Sequence, residues 1–323
     1  MPVVDSITIP RLEWLDARVR VEPLSSPPSG VFFGNLLRGG FGLHLRKISC
    51  VARTLQCPGC LFAERCAYAV VFESRHNDSQ EHYKSLDDIP RPYVFFDLPD
   101  SETLSAARTF SIGVRLIGRA MNFLPQVLSA LNNLAETGFQ GGRFRCRAAG
   151  ISLIRPDGAE TSLDAVPSSQ LPVISTEAYL KNHPPIPGGP LTVSFITPVR
   201  MKKDGIFLQT PDFSSLASHL MRRTAQIGCF HGSGPVDWDF RALLDALGDV
   251  RIINHDTAWR EWKRFSFRQK SEMQLGGLVG RAIYSPVPDF FHPLLILGQA
   301  LHVGKAASFG FGKYTLHSQE EQI

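Results

Sequence analysis

Six prolines (Pro167, Pro172, Pro184, Pro185, Pro187 and Pro190) fall within one stretch near the middle of the 323-residue chain. Proline lacks a backbone donor and interrupts helices and central strands. No regular element can run through such a stretch, so each side must build its own core. The two sides then show the same order of apolar patterning. On the first, Leu15, Ala17, Val19 and Val21 alternate with charged residues, as in a half-buried strand. Val31 to Ile48 has helical spacing, interrupted by Gly39, Gly40 and Gly42. AYAVVFE (Ala67 to Glu73) reads as a strand, Arg75 to Pro92 as a polar loop, and Thr109 to Gly118 as a strand. Arg119 to Gly138 reads as a helix with Pro125 near its start and a glycine at its end, and Arg143 to Ile154 as a strand.

On the second side, Leu191 to Thr197 is a strand and Phe213 to Gly228 a helix. Strands follow near Val250 to Asn254 and Gly276 to Ser285, then a helix from His292 to Val303 and a strand from Gly312 to His317. The order β-α-β-β-α-β, met twice, predicts an α+β fold of two tandem ferredoxin-like (RRM-like) domains. The first is expected over 1–185, with a cysteine-rich insert at 50–66. The second is expected over 186–323, with a glycine-rich loop at 304–312.

Asp5 and Pro10 stand where a signal peptide needs a basic start and an apolar run. No stretch approaches the roughly 18–20 apolar residues of a membrane helix. These features predict a cytoplasmic protein with no membrane partner, where disulfides are uncommon. Clustered cysteines then need another account. Cys50, Cys57, Cys60 and Cys66 are spaced C-x6-C-x2-C-x5-C around a CPGC knuckle. Four thiolates can close a tetrahedral shell, which predicts a structural zinc; four reduced, partly buried cysteines are the alternative. Cys146 and Cys229 stand alone and read as core.

HVGKAASFGFGKY (His302 to Tyr314) invites comparison with a nucleotide phosphate loop. That motif needs Gly, four residues, Gly, then Lys and Ser or Thr. Here Gly298 lies six positions before Gly304, and Ala306 follows Lys305. The stretch fails the phosphate-loop test. Gly304, Gly310 and Gly312 remain candidates for presenting backbone N–H groups to phosphates, beside Lys305 and Lys313. Phe309 and Phe311 pack the loop or stack on a base.

The net charge is +4, and the six cations against two acids between Arg264 and Lys313 amount to an excess of the same size. Arg200, Lys202 and Lys203 follow the first strand of the second half, and Arg222 and Arg223 form a pair on the next helix. WREWKRFSFRQK (Trp259 to Lys270) interleaves Arg264 and Arg268 with aromatic residues. Cations for phosphates and flat rings for bases suit single-stranded nucleic acid. An amphipathic strand with its aromatics in the core and its cations in water fits the same letters. His44 shares its helix with Arg38, Arg46 and Lys47. A histidine titrating near neutrality can move a proton, and adjacent cations can stabilise a phosphate; a surface histidine on a basic helix is the other reading.

GGLVGRAIYS followed by HPLLILGQALHVGKAASFGFGKY resembles the C-terminal signature of CRISPR-associated repeat-RNA-processing endoribonucleases of the RAMP superfamily. TPVRMKKDG, the Arg222–Arg223 helix and RFSFRQ are similar to that family in the same order. LRGGFGLHLRKISC, the cysteine set and AYAVVFE resemble its cysteine-containing members. The resemblance implies cleavage of a CRISPR precursor transcript within each repeat, without a metal in the chemistry. The upstream 2′-hydroxyl attacks the adjacent phosphate, leaving a 2′,3′-cyclic phosphate and a 5′-hydroxyl. It implies His44 as the catalytic histidine, with Lys47 and Arg46 as charge stabilisers. Repeat RNA and other CRISPR effector subunits are the partners it implies. Because that family's active site varies, a non-catalytic RNA-binding subunit of an effector complex is the alternative.

Overall fold

The computed structural model describes residues 6–28, 30, 32–52, 57, 59–74, 89–186, 188–266 and 271–318. They form two compact units, one of 12–175 with 230–232, the other of 6–11, 176–229 and 233–318. The change of unit thus falls at Ser175/Thr176 rather than at 185/186, and residues 6–11 count with the second. The segment 75–88 of the polar loop lies outside the described residues.

In the first unit β1 (Glu13–Pro23) leads to α1 (Phe33–Ser49), β2 (Tyr93–Phe96), the short α2 (Ser101–Ala106) and β3 (Phe110–Ile117). Then come α3 (Leu124–Thr137), a kinked turn α4 (Phe139–Gly142), β4 (Cys146–Ile154), β5 (Glu160–Ser162) and β6 (Ile174–Ser175). The strands form an antiparallel sheet in the order β2-β3-β1-β4-β5, with β6 beside β1. The first four strands of that order give the ferredoxin-like arrangement predicted. Leu15, Ala17, Val19 and Val21 face a core shared with Phe33, Phe41 and Leu45 of α1 and with Val127 and Leu131 of α3. On the other face Asp16 and Arg115 are both buried, and the guanidinium forks onto the carboxylate at 2.8 and 2.5 Å. Pro125 lies in the first turn of α3, and Gly138 (φ 97°) ends that helix.

Two local expectations change. The glycines of α1 do not break it; two of them let neighbours approach. A Cβ at Gly40 would overlap Leu134 of α3, and one at Gly42 would overlap the Phe72 ring, whereas Gly39 faces open space. AYAVVFE is no strand: Tyr68–Glu73 forms a wide helical turn. Tyr68 and Val71, three apart, are buried, and Phe72 packs against the core, a helical rather than an alternating pattern. The strand taken for this segment is Tyr93–Phe96, whose four residues are all buried.

The second unit holds α5 (Thr176–Lys181), β7 (Leu191–Val199), the hairpin β8 (Lys202–Lys203) and β9 (Ile206–Phe207), α6 (Phe213–His231) and α7 (Phe240–Ala246). It continues with β10 (Ile252–His255), β11 (Ala258–Arg260), β12 (Lys263–Ser266), β13 (Ser271–Gln274), β14 (Gly277–Tyr284), α8 (His292–Leu301) and β15 (Tyr314–Ser318). The order β10-β14-β7-β15, all antiparallel, repeats that of the first unit. Tyr314 is fully buried and donates its hydroxyl to the Leu295 carbonyl at 2.6 Å, in space left open by Gly298. Asp204 and Gly205 sit at positive φ between β8 and β9, as a tight two-residue hairpin requires. Among the described residues no helix is long and apolar enough to cross a membrane.

Candidate functional site

His44 lies in the second half of α1 and is 7% exposed. Burial, and next the Lys47 ammonium, hold its pKa below 6.5, so the ring is neutral at neutral pH. A neutral imidazole accepts a proton, the state a general base needs. Lys47 is three residues on, on the same flank of the helix, and is exposed. Arg46 is turned about 200° from His44 around the helix axis. Its guanidinium lies 5.6 Å from the centre of the Tyr68 ring. The structure therefore pairs His44 with Lys47 and directs Arg46 to the opposite flank.

Tyr68 stacks on Phe72 at 5.4 Å and donates its hydroxyl to Glu73 at 2.8 Å. Burial and that carboxylate raise its pKa, so it stays protonated. Cys50, Cys57, Cys60 and Cys66 are all partly exposed and outside any disulfide, and the Cys60 N–H donates to the Cys57 carbonyl at 3.1 Å, as in a knuckle turn. Among the described residues, however, no three His, Cys, Asp or Glu side chains gather as a metal shell. The donor set suits zinc in type and number. Cys146 is buried, its pKa pushed up to about 12 by desolvation alone, which fits a packing role.

In the second unit the predicted RNA-contacting residues divide. Arg200 is buried, with its guanidinium donating to the Gly276 carbonyl and stacked over Phe207 at 4.3 Å. Arg223 donates its Nε–H to the Leu301 carbonyl at 2.7 Å, at the last residue of α8. Burial lowers its pKa to about 10. These two arginines hold the fold together. Arg222, one residue away, is exposed, as are Lys203 and Lys305. Lys202 holds its ammonium 4.6 Å from the centre of the Phe207 ring, and that ring packs on Trp259 at 5.8 Å. Arg264 lies on β12 and Arg268 outside the described residues.

The glycine-rich loop also differs from expectation. Its N–H groups mostly serve the protein itself. Lys305 N–H donates to Arg200 O at 2.8 Å, Gly310 to Ala307 O at 2.9 Å and Gly312 to Pro198 O at 3.0 Å. Lys313 N–H donates to Thr197 Oγ1 at 2.8 Å. The glycines are needed because these approaches are close. A Cβ at Gly304 (φ +81°) would lie 2.5 Å from Arg200 O, and one at Gly312 (φ +75°) would overlap the Val303 carbonyl. Phe309 and Phe311 are both buried, so both pack the loop.

Sequence reading missed His219. It is half-buried on α6, with Nε2 at 3.0 Å from Lys202 O and 3.2 Å from Lys202 N. Desolvation first, and then the charges of Arg222 and Lys305, lower its pKa, while the bond to the Lys202 carbonyl and the Asp212 charge act the other way. Its position three residues before Arg222 was the one signal in the sequence.

Comparison with known proteins adds the following. Residues 12–176 match the model of the N-terminal domain family AF_1859_N, and residues 193–314 match that of the CRISPR-associated endoribonuclease Cas6. An uncharacterized protein of Archaeoglobus fulgidus is 24% identical over 319 residues, covering 95% of this chain and 98% of its own. A Cas6 product complex superposes with a TM-score of 0.56 at 17% identity, over 94% of this chain and 100% of that one. Thermus thermophilus Cas6 gives 0.53 at 15%, over 95% and 99%. A partial Cas6-RT-Cas1–Cas2 complex gives 0.55 at 14%, over 96% of this chain and 47% of that one. At these identities the likeness concerns the fold.

Proposed function

The chain belongs to the AF_1859_N family and carries a CRISPR-associated endoribonuclease Cas6 domain, and from that premise we propose that it cuts CRISPR precursor RNA within its repeats. The reaction is attack of a ribose 2′-hydroxyl on the adjacent phosphate, with departure of the 5′-oxygen. The products are a 2′,3′-cyclic phosphate and a 5′-hydroxyl end, which release guide RNAs in the cytoplasm. The observation that carries this reading is His44, a buried histidine held neutral, with Lys47 on its flank. His44 takes the 2′-hydroxyl proton, and Lys47 offsets charge growing on the phosphate oxygens. Arg46 gains no support as a partner in this step, because it faces Tyr68. Lys202, Lys203, Arg222, Lys305 and Lys313 are the cations this reading assigns to the RNA backbone.

No step requires a metal. Zinc on Cys50, Cys57, Cys60 and Cys66 belongs to the proposal as a structural ion only, supported by the spacing and the Cys57–Cys60 turn. Other CRISPR proteins are proposed as partners because a Cas6-RT-Cas1–Cas2 assembly shares the fold.

The test is incubation with a repeat hairpin RNA in EDTA. Cleavage is expected, and it must fail when the nucleotide upstream of the scissile phosphate is deoxyribose. His44→Ala must slow it. Tight binding of repeat RNA with no product after long incubation would instead make the chain an RNA-holding subunit.

A further inference from the structure

Three elements of the second unit meet at one histidine, and two of them bring cations. α6 contributes Arg222, on the same helix face as His219, and Asp212 just before its first turn. The start of β8 contributes the backbone of Lys202, which touches His219 Nε2, while the Lys202 ammonium lies over the Phe207 ring at 4.6 Å. The glycine-rich loop contributes Lys305, whose N–H is tied to Arg200 O, two residues from Lys202. The charges of Arg222 and Lys305 both reach the His219 ring, as does that of Asp212.

These cations lack a carboxylate partner among the described residues. None of the ion pairs among the described residues includes Lys202, Arg222 or Lys305. Asp212, whose charge reaches His219, already accepts the Ser215 N–H at 3.0 Å as the cap of α6. Like charges held around one point favour an anion there. Burial first, and these charges after it, disfavour the protonated ring while the site is empty. A bound phosphate offsets those charges. The ring then takes a proton, so that both nitrogens carry one and Nε2–H donates to the Lys202 carbonyl.

Resting on the RNA-cutting function proposed above, we propose that Arg222, Lys305 and His219 form one phosphate-binding site, filled by an RNA backbone phosphate together with a proton on His219. The phosphate need not be the scissile one. No bond is made or broken at this site; it supplies affinity that depends on pH.

The probe is repeat hairpin RNA carrying deoxyribose at the cleavage position, so that binding is read without cutting. Affinity is measured across ~pH 5.5–8, the range in which histidine titrates. Binding should tighten as pH falls, by up to about tenfold per unit for uptake of one proton. Calorimetry in buffers of different ionisation heat should count that proton. In His219→Gln the side-chain amide can still donate to the Lys202 carbonyl, so the hairpin keeps its anchor, yet nothing titrates. That variant should bind with a flat profile and lose the proton uptake, with its melting temperature unchanged. Arg222→Ala should weaken binding and lessen the pH dependence. An identical pH profile in His219→Gln overturns the inference, as does tight wild-type binding with no pH dependence. Failure of the unaltered protein to bind the RNA at any pH overturns the function proposed above as well, which separates the two.

Discussion

Gly39 and Gly42 lie one turn apart in α1, and the same substitution should act on them with opposite sign. Alanine in a helix interior is better than glycine by about 1 kcal/mol. At Gly39 a Cβ meets nothing within 4 Å, so Gly39→Ala should gain that whole increment. At Gly42 the new methyl overlaps the Phe72 ring. That ring is held between Tyr68, stacked at 5.4 Å, and Tyr93, stacked at 6.4 Å, so it cannot swing aside. Overpacking of this kind costs about 1–3 kcal/mol, which cancels or exceeds the helix gain. The two variants should therefore differ by roughly 1–3 kcal/mol, Gly39→Ala being the more stable. For a unit of this size, melting temperatures should differ by ~2–4 °C per kcal/mol. Thermal unfolding followed by circular dichroism, with urea midpoints alongside, reads the difference. Equal stabilisation of both variants would refute the reasoning, since Phe72 would then have to yield freely.

Other expectations follow from the sites. On the proposal that His44 is the base, the single-turnover cleavage rate should rise with pH through a value below 6.5 and be flat above it, because burial depresses its pKa. His44→Ala should cost about 10²–10⁴ in rate. The same depression makes the fold lose stability as pH falls below 6.5 toward the lower folded-state value, since the unfolded chain then binds the proton more readily. Arg222 and Arg223 should part company. Arg223→Met, which strands the Leu301 carbonyl, should destabilise the fold by about 1–3 kcal/mol in urea titration. Arg222→Ala should leave stability unchanged and lower the salt slope of RNA binding by about one. Metal analysis of the purified protein should find roughly one zinc per chain, lost in a Cys57→Ser/Cys60→Ser variant. Zinc-free protein that melts as the wild type does would remove the ion from the picture.

Long elements with one strong period were legible in the letters. β1, α3, α6, α8 and the tandem strand order follow from alternation, helical spacing and punctuation by proline and glycine. The exchange of Tyr68–Glu73 for Tyr93–Phe96 as the second strand has a physical source. Both are short apolar runs rich in aromatic or β-branched residues, and such runs carry no period that tells strand from helix. Partnership with β3 decides it. The cations were visible as cations, but their roles were not. Adjacent residues on a helix point about 100° apart, so Arg222 meets solvent while Arg223 reaches the end of α8. Arg46 and His44 part company for the same reason. The loop glycines announced close approach but not the approaching group, which proved to be the carbonyls of Arg200 and Val303.

The lacing of the loop after α8 to Thr197, Pro198 and Arg200 has a thermodynamic consequence. Ordering a free backbone costs about 1–2 kcal/mol per residue, and many ligand-binding loops meet that cost only when the ligand arrives. Here it is met during folding of the domain. Under the proposed RNA contact at Lys305 and Lys313, a strand would meet a surface already set, so association would need no rearrangement of that segment and its rate would be governed by electrostatic encounter.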